Sequence, residues 1–497
     1  MRINYRFLIV PILTLLFWGC SKQPPPATET ILAKVGSKTI SVNEFIRRSE
    51  YTIRPAWCSE DNYVHRKIVL NSLIAEKLLA LEAGVENELA QNGEFQLYLT
   101  GRKEQAMRQW LYQQVAVEQV QLDSAEINQE YRLAGRKFRV SYFTVPTEEI
   151  ANAVHRALKA DANDFNTIYS GLAQKETPPQ KEIDWQSAAS EIYYDQLFNP
   201  DIKKGEILKP IEAEQGGFLI LRVDGWSDFP AVSEQQKIQR VNDVRERLTE
   251  KKAISLYGEY VAELMKDQSM QFNRPVFEKL VNSLGPDYYK SDKEKKDAFN
   301  KKFWNKDRTE MILDDPANQL KQILDQTLFT HEGRNWKVRE FIVELIRHPL
   351  VFRKRNMPKN EFAEQFKLAI VDMIRDQHIT REAYKKGYDK APVVRRNYDM
   401  WRDNLFALYQ KKKILDADTN RGLNSFEQVE QILNPYIQQL HKKYDAQIEI
   451  NTTAFENIKL TNVDMFVIQK NVPFPVIVPS FPQLTTRNQM DYGRKMK

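Results

Sequence analysis

The chain has 497 residues, 42% of them hydrophobic and 28% charged, too long for one hydrophobic core, which stops growing at roughly 250–300 residues. Its 17 glycines disfavour a large Gly-rich β architecture, and its two cysteines, Cys20 and Cys58, exclude a disulfide scaffold and a four-cysteine zinc site. Lysine and arginine number 73 against 67 acids, and a net charge of +6 spread over so long a mixed surface does not call for nucleic acid.

Residues 1–19 open with Arg2 and Arg6 and continue as an apolar run from Phe7 to Trp18. The run falls short of the about 20 apolar residues that span a bilayer, and it has the layout of a secretory signal. Its end, Phe17-Trp18-Gly19-Cys20, resembles a bacterial lipoprotein signal, in which a small residue precedes a cysteine that is lipidated and becomes the new N-terminus. Phe17 stands where such signals usually carry leucine. The resemblance implies a lipid on Cys20 and an outer-membrane lipoprotein facing the periplasm. Loss of 19 residues with two arginines would leave 478 residues and a net charge of +4. Residues 20–30, with Pro24-Pro25-Pro26, then read as an extended tether. Cys58 reads as a buried structural thiol.

Residues 31–136 read as helical after a short strand-like start. Ser41 with Glu44 three residues on is a capping-box pattern. Val64, Ile68, Ile74, Leu78 and Leu81 recur at helical spacing, as do Met107, Trp110, Leu111 and Val115, and Asp123 opens a further helix. The period changes at Lys137. Phe138, Val140 and Tyr142 alternate with polar neighbours, which predicts a strand, and a helix is predicted over 148–159. A second strand is expected over 218–223, so residues 137–228 read as an α+β unit. Ser233 starts a long helix within the helical stretch 229–285. Residues 286–318 read as a charged connector, 319–460 as a second helical module, and 461–497 as a proline-punctuated tail.

An internal repeat organises these pieces. Ile40-Ser41-Val42-Asn43-Glu44-Phe45 matches Trp336-Lys337-Val338-Arg339-Glu340-Phe341. Leu73-Ile74 and Glu82-Ala83 match Met373-Ile374 and Glu382-Ala383, and Leu111-Tyr112-Gln113 matches Leu408-Tyr409-Gln410. These share one register, at offsets of 296, 300 and 297 residues. Phe272-Asn273 with Phe277-Glu278 matches Ile450-Asn451 with Phe455-Glu456 at an offset of only 178, a drop near the size of 137–228. The expected fold is mainly α and multi-domain. One helical module occurs twice, this last motif closes both copies, and the α+β unit is inserted in the first copy alone.

Leu32 to Ile40 with Val42 and Glu44-Phe45, the helix from Asp123 to Tyr131, and Lys203 to Ile211 followed by Gly217 to Val223 resemble the SurA/PrsA/PpiC group of exported chaperones and parvulin-type prolyl isomerases. The likeness covers about residues 31–280, and more weakly 325–460 through the repeat. It implies a helical chaperone module interrupted by a parvulin-like domain. Peptide-bond rotation faces a barrier of about 18–20 kcal/mol, so an isomerase must seat proline in an apolar pocket and stabilise the twisted amide with placed polar groups. Parvulins resemble one another in using two facing histidines and an acid or thiol for that floor. The histidine positions fall at Tyr142 and Leu219, and the family's glycine-rich stretch falls at Gln180 to Trp185, which keeps Trp185 and the acid Glu182 without the glycines. Tyr142 can donate a hydrogen bond and Leu219 cannot. The resemblance thus implies a domain that binds more than it catalyses.

The six histidines (His65, His155, His331, His348, His378 and His441) are scattered, without an HExxH motif or an i, i+4 pair, so no metal is expected. No P-loop, GxGxxG or GxSxG stretch calls for a cofactor. Val472 to Pro482 is apolar and broken by four prolines, which exclude a helix or central strand. Such a segment reads as packed on the second module or as docked extended into a partner, with Pro473, Phe474, Pro475 and Phe481 as the candidate partner-binding residues. The leading expectation is a lipid-anchored periplasmic chaperone for unfolded or nascent outer-membrane and exported polypeptides. The alternatives are an active prolyl isomerase using Tyr142 and Glu182, and a subunit of an outer-membrane assembly or secretion complex docked through the tail.

Overall fold

The computed structural model describes residues 29–173, 175–186, 191–213, 217–289, 320–353, 357–418, 422–460 and 473–496. Cys20, the signal-like segment, most of the tether and most of the charged connector lie outside the described residues.

A hairpin begins the fold: β1 (Ile31–Val35) and β2 (Lys38–Ser41). The Ser41 hydroxyl accepts the Glu44 amide at 3.0 Å and starts α1 (Val42–Glu50) as the capping pattern requires. α2 (Tyr63–Ala83), the short α3 (Glu88–Gln91) and α4 (Gly93–Val115) follow, capped by Asn62, Asn87 and Asn92. The middle of α2 is buried all round, because hairpin and helices cover it on every side. α5 (Ser124–Leu133), capped by Asp123, leads out of the helical body.

The α+β unit contains β3 (Arg136–Val145), α6 (Glu148–Ala160), α7 (Phe165–Ala173), β4 (Gln180–Ile183), α8 (Glu191–Leu197), β5 (Ile211–Glu212) and β6 (Phe218–Asp228). Its antiparallel sheet has the order β4-β3-β6-β5. The two-residue side-chain period of β3 sends Phe138 and Val140 to one core and Phe143 and Val145 to another, under α6 and α7. α9 (Glu234–Leu264) starts at a full capping box on Ser233 and Gln236. Its 31 residues span about 46 Å and return the chain to the helical body.

β7 (Met270–Phe272) and α10 (Arg274–Tyr288) come next, then the second hairpin, β8 (Thr327–His331) and β9 (Arg334–Lys337), with α11 (Val338–Arg347). α12 (Phe362–Lys385) and α13 (Pro392–Ala417) are the long helices of this half. α14 (Ser425–Gln428), α15 (Asn434–Tyr444), β10 (Ile448–Ile450), α16 (Thr452–Glu456) and β11 (Arg494–Lys495) complete the chain.

Each half therefore presents a hairpin, a short helix and two long helices. The closing strands, however, are exchanged. β10 pairs with β1 of the first hairpin, and β7 pairs with β8 of the second. The helices after them follow suit: Phe455 of α16 enters the core of the first hairpin, and Phe277 of α10 enters that of the second. α2 packs on α13, and α4 packs on α12 and α13, so the halves interlock along their long helices. The expectation that the repeated Phe-Asn and Ile-Asn motifs close their own copies is corrected here. α9 delivers β7 beside the second hairpin, and α15, packed on α2, delivers β10 beside the first. Among the described residues no helix is long and apolar enough to cross a membrane.

Candidate functional site

On the four-stranded sheet Tyr142 lies opposite Leu221, and Leu219 lies one pair along the same face. Both Tyr142 and Leu219 are half-buried against a core that includes Ile183, Trp185, Phe198 and Ile211. Trp185 meets the rings of Tyr194 and Phe198 edge-on at 4.9 and 5.0 Å, and Phe198 meets Phe138 at 5.2 Å. The segment before β5 returns along β6, where the Gly205 and Leu208 amides donate to the Val223 and Leu221 carbonyls at 2.7 and 2.9 Å. The sequence positions Tyr142, Leu219 and Trp185 are thereby gathered into one apolar, aromatic region, in which a second phenol, Tyr194, donates its hydroxyl to the Trp185 carbonyl.

Glu182 does not join them. It pairs with Arg139 on β3, three residues from Tyr142, and the alternation of a strand puts it on the opposite face. There its exposed carboxylate binds Lys137 Nζ at 2.5 Å. A floor of Tyr142 plus Glu182 is therefore corrected. Also on that other face, the Ser141 hydroxyl donates to Asp224 Oδ2 at 2.6 Å, and Arg222 Nε donates to Asp224 Oδ1 at 3.1 Å. Asp224 is the extra residue of a bulge, since Arg139 pairs with Gly225 and Val140 with Val223. Nothing in the periodicity of the sequence marks that bulge. His155 belongs to α6, which packs on this second face as well.

The tail takes the packed reading over the docking one, and it lies against α4 and α9 as well as the second half. Phe474 is buried against Tyr257, at 6.0 Å, and under the Arg108 guanidinium, while Gln109 Nε2 donates to the Pro475 carbonyl at 2.5 Å. Phe481 and Leu484 enter the core of the first hairpin, and Val478 joins the cluster between α4 and α13. Asn71 Nδ2 donates to the carbonyls of Arg487 and Gln489 at 2.8 and 2.9 Å. These side chains are spent inside the fold, so Phe474 and Phe481 are no docking residues for a partner.

Cys58 is fully buried, and burial, partly offset by Arg54, pushes its thiol up to about 12. A thiol so protonated is no nucleophile. The histidines, by contrast, do not stay scattered. His331 and His378 meet with their Nε2 atoms 2.9 Å apart, beside the Glu332 carboxylate. Spacing along the chain gave no sign of this, because the contact joins a strand end to a helix 47 residues later.

No protein-family model matches the chain, and no curated protein sequence matches it. Solved structures of the peptidylprolyl isomerase PrsA from Bacillus anthracis and from Bacillus cereus align with it at 17% and 15% identity, over 38% and 46% of this chain and 96% and 90% of theirs. The TM-score is 0.19 in both cases, a likeness that carries no conclusion about fold or activity.

Proposed function

We propose that the chain is a chaperone that binds unfolded exported polypeptides, with its sheet domain acting as a binding module. One observation carries this reading: the face of β3 and β6 that bears Tyr142 and Leu219 is apolar and aromatic, and the one acid expected beside them, Glu182, lies on the other face. Such a surface gains affinity from many weak apolar contacts. Of the polar floor expected by resemblance it keeps Tyr142 alone, because Leu219 cannot hydrogen-bond and Glu182 lies on the other face. The lipid on Cys20, which would hold the protein at a membrane surface facing the periplasm, belongs to the same proposal and rests on the signal-like sequence.

The decisive experiment sets two assays side by side on residues 21–497. Aggregation of a denatured β-barrel protein should be suppressed at equimolar chain, and proline-limited refolding of a model substrate should run at its unaided rate. Aggregation that proceeds unchanged at excess chain sinks the chaperone reading. Accelerated refolding that is lost in Tyr142→Phe establishes the isomerase instead.

A further inference from the structure

The duplicated frame contains its own control for the histidine cluster. On the hairpin offset of 296 residues, His331 and Glu332 correspond to Val35 and Gly36, and on the helix offset of 300, His378 corresponds to Leu78. In the first copy this junction of hairpin and helix is plain packing: Val35 and Leu78 are fully buried in one core. In the second copy the same three positions carry imidazole, carboxylate and imidazole. Glu332 holds φ +50, in the region where the first copy uses Gly36 at φ +59. A side chain is strained in that region, so Glu332 sits in its turn against the local preference.

The protons at the cluster do not balance. His331 Nδ1 lies 2.9 Å from the Ser269 carbonyl, which only accepts, so Nδ1 carries the hydrogen and Nε2 of the neutral ring is a lone pair. Arg381 Nη2 lies 2.9 Å from His378 Nε2 and only donates, so that nitrogen presents a lone pair too. Two lone pairs 2.9 Å apart repel unless a proton or a cation lies between them.

We propose that His331 Nε2, His378 Nε2 and Glu332 Oε1 form a binding site for a divalent transition metal of the zinc class. The three ligand atoms lie within 4.8 Å of one another, and both imidazoles are buried. Zinc–nitrogen bonds of about 2.0–2.1 Å place two tetrahedral nitrogens roughly 3.3 Å apart, a few tenths of an ångström beyond their present separation. The Ser269 carbonyl fixes the His331 tautomer, and Arg381 holds Glu332 Oε2 at 3.1 Å, the outer contacts that metal ligands usually keep. Arg381 must give up His378, which its half-exposed side chain can do while keeping the carboxylate. Two imidazoles with one carboxylate select zinc, cobalt or nickel over magnesium and calcium. Bound there, the ion would tie the β8–β9 turn to α12.

Chelator-treated residues 21–497 should take up one equivalent of zinc in competition with a chromophoric chelator, and cobalt should give the visible absorption of a four-coordinate ion. His331→Val and His378→Leu install the first copy's residues at these positions, so the fold has a precedent for both. Each should abolish the uptake and the zinc-induced rise in Tm. Glu332→Gly should weaken zinc at least tenfold while leaving the apo protein folded by circular dichroism. The proposal is overturned if the folded wild type takes up no zinc, or if zinc and the cobalt spectrum are unchanged in His331→Val and His378→Leu.

Discussion

Phe272 pairs across the sheet with Phe329, their rings 5.7 Å apart, although by sequence Phe272 closes the first helical half and Phe329 opens the second. Ala33 pairs in the same crossed sense with Ile450. Neither half holds its own closing strand, so neither hairpin core is complete without the other half. Residues 21–289 and 320–497, expressed separately, should each aggregate or associate non-specifically. Expressed together they should co-purify one to one with the helical content of the whole chain. Light scattering on size-exclusion peaks reads the outcome, and two stable monomeric halves would contradict the exchange.

Arg48 and Glu76 form a fully buried bidentate pair at 3.0 and 2.8 Å. Asn404 donates to the same carboxylate at 2.7 Å, and the Ser480 carbonyl of the tail accepts from Arg48 at 3.0 Å. Glu76→Ala leaves a guanidinium buried without its counter-charge and should cost about 3–5 kcal/mol in urea unfolding. The double replacement Arg48→Met with Glu76→Leu removes both charges and should recover most of that loss.

Asp376 is the corresponding acid in the second half, 300 residues on. Burial would raise its carboxyl, yet the His348 hydrogen bond at 3.1 Å, Arg108 and Arg375 outweigh burial and hold it at about 2. The folded value lies below the unfolded value of about 3.9, so the stabilisation is complete above pH 4 and is lost as pH falls from about 4 to 2. It amounts to on the order of 2 kcal/mol. Asp376→Asn should lower the urea midpoint at pH 7 and flatten its fall between pH 4 and 2. Parallel pH curves for wild type and variant would refute the assignment.

Gly101 sets the crossing of α4 with α11. A Cβ built there would stand 1.8 Å from the Arg347 carbonyl oxygen. Arg347 is anchored to Glu104 one turn along α4, through Nε at 2.7 Å and a second bond from Nη2, so the backbone has little freedom to retreat. Gly101→Ala gains helix propensity of about 1 kcal/mol but must push the helices apart. A net loss of about 2 kcal/mol or more is expected, read as a Tm decrease of several degrees. An unchanged or higher Tm would show that the crossing is not close.

Local chemistry alone determined a good part of this molecule. Ser41 with Glu44, Asp123 and Ser233 mark helix starts because a cap needs only its own neighbours, and the alternation from Phe138 to Tyr142 marks β3 because a strand's period is two. The repeat in the sequence predicted a helical module occurring twice, whereas the hairpin that opens each half is a feature of the structure. Tertiary structure decided the rest. Strands of three residues carry too little pattern to name a partner, so β7 and β10 were assigned by where α9 and α15 deliver them. The prolines of the tail exclude regular structure but do not say what its aromatic side chains touch, and Phe474 and Phe481 turned inward. The face on which Glu182 sits, and the meeting of His331 with His378, depend on sheet register and helix placement across long stretches of chain, which no local spacing encodes.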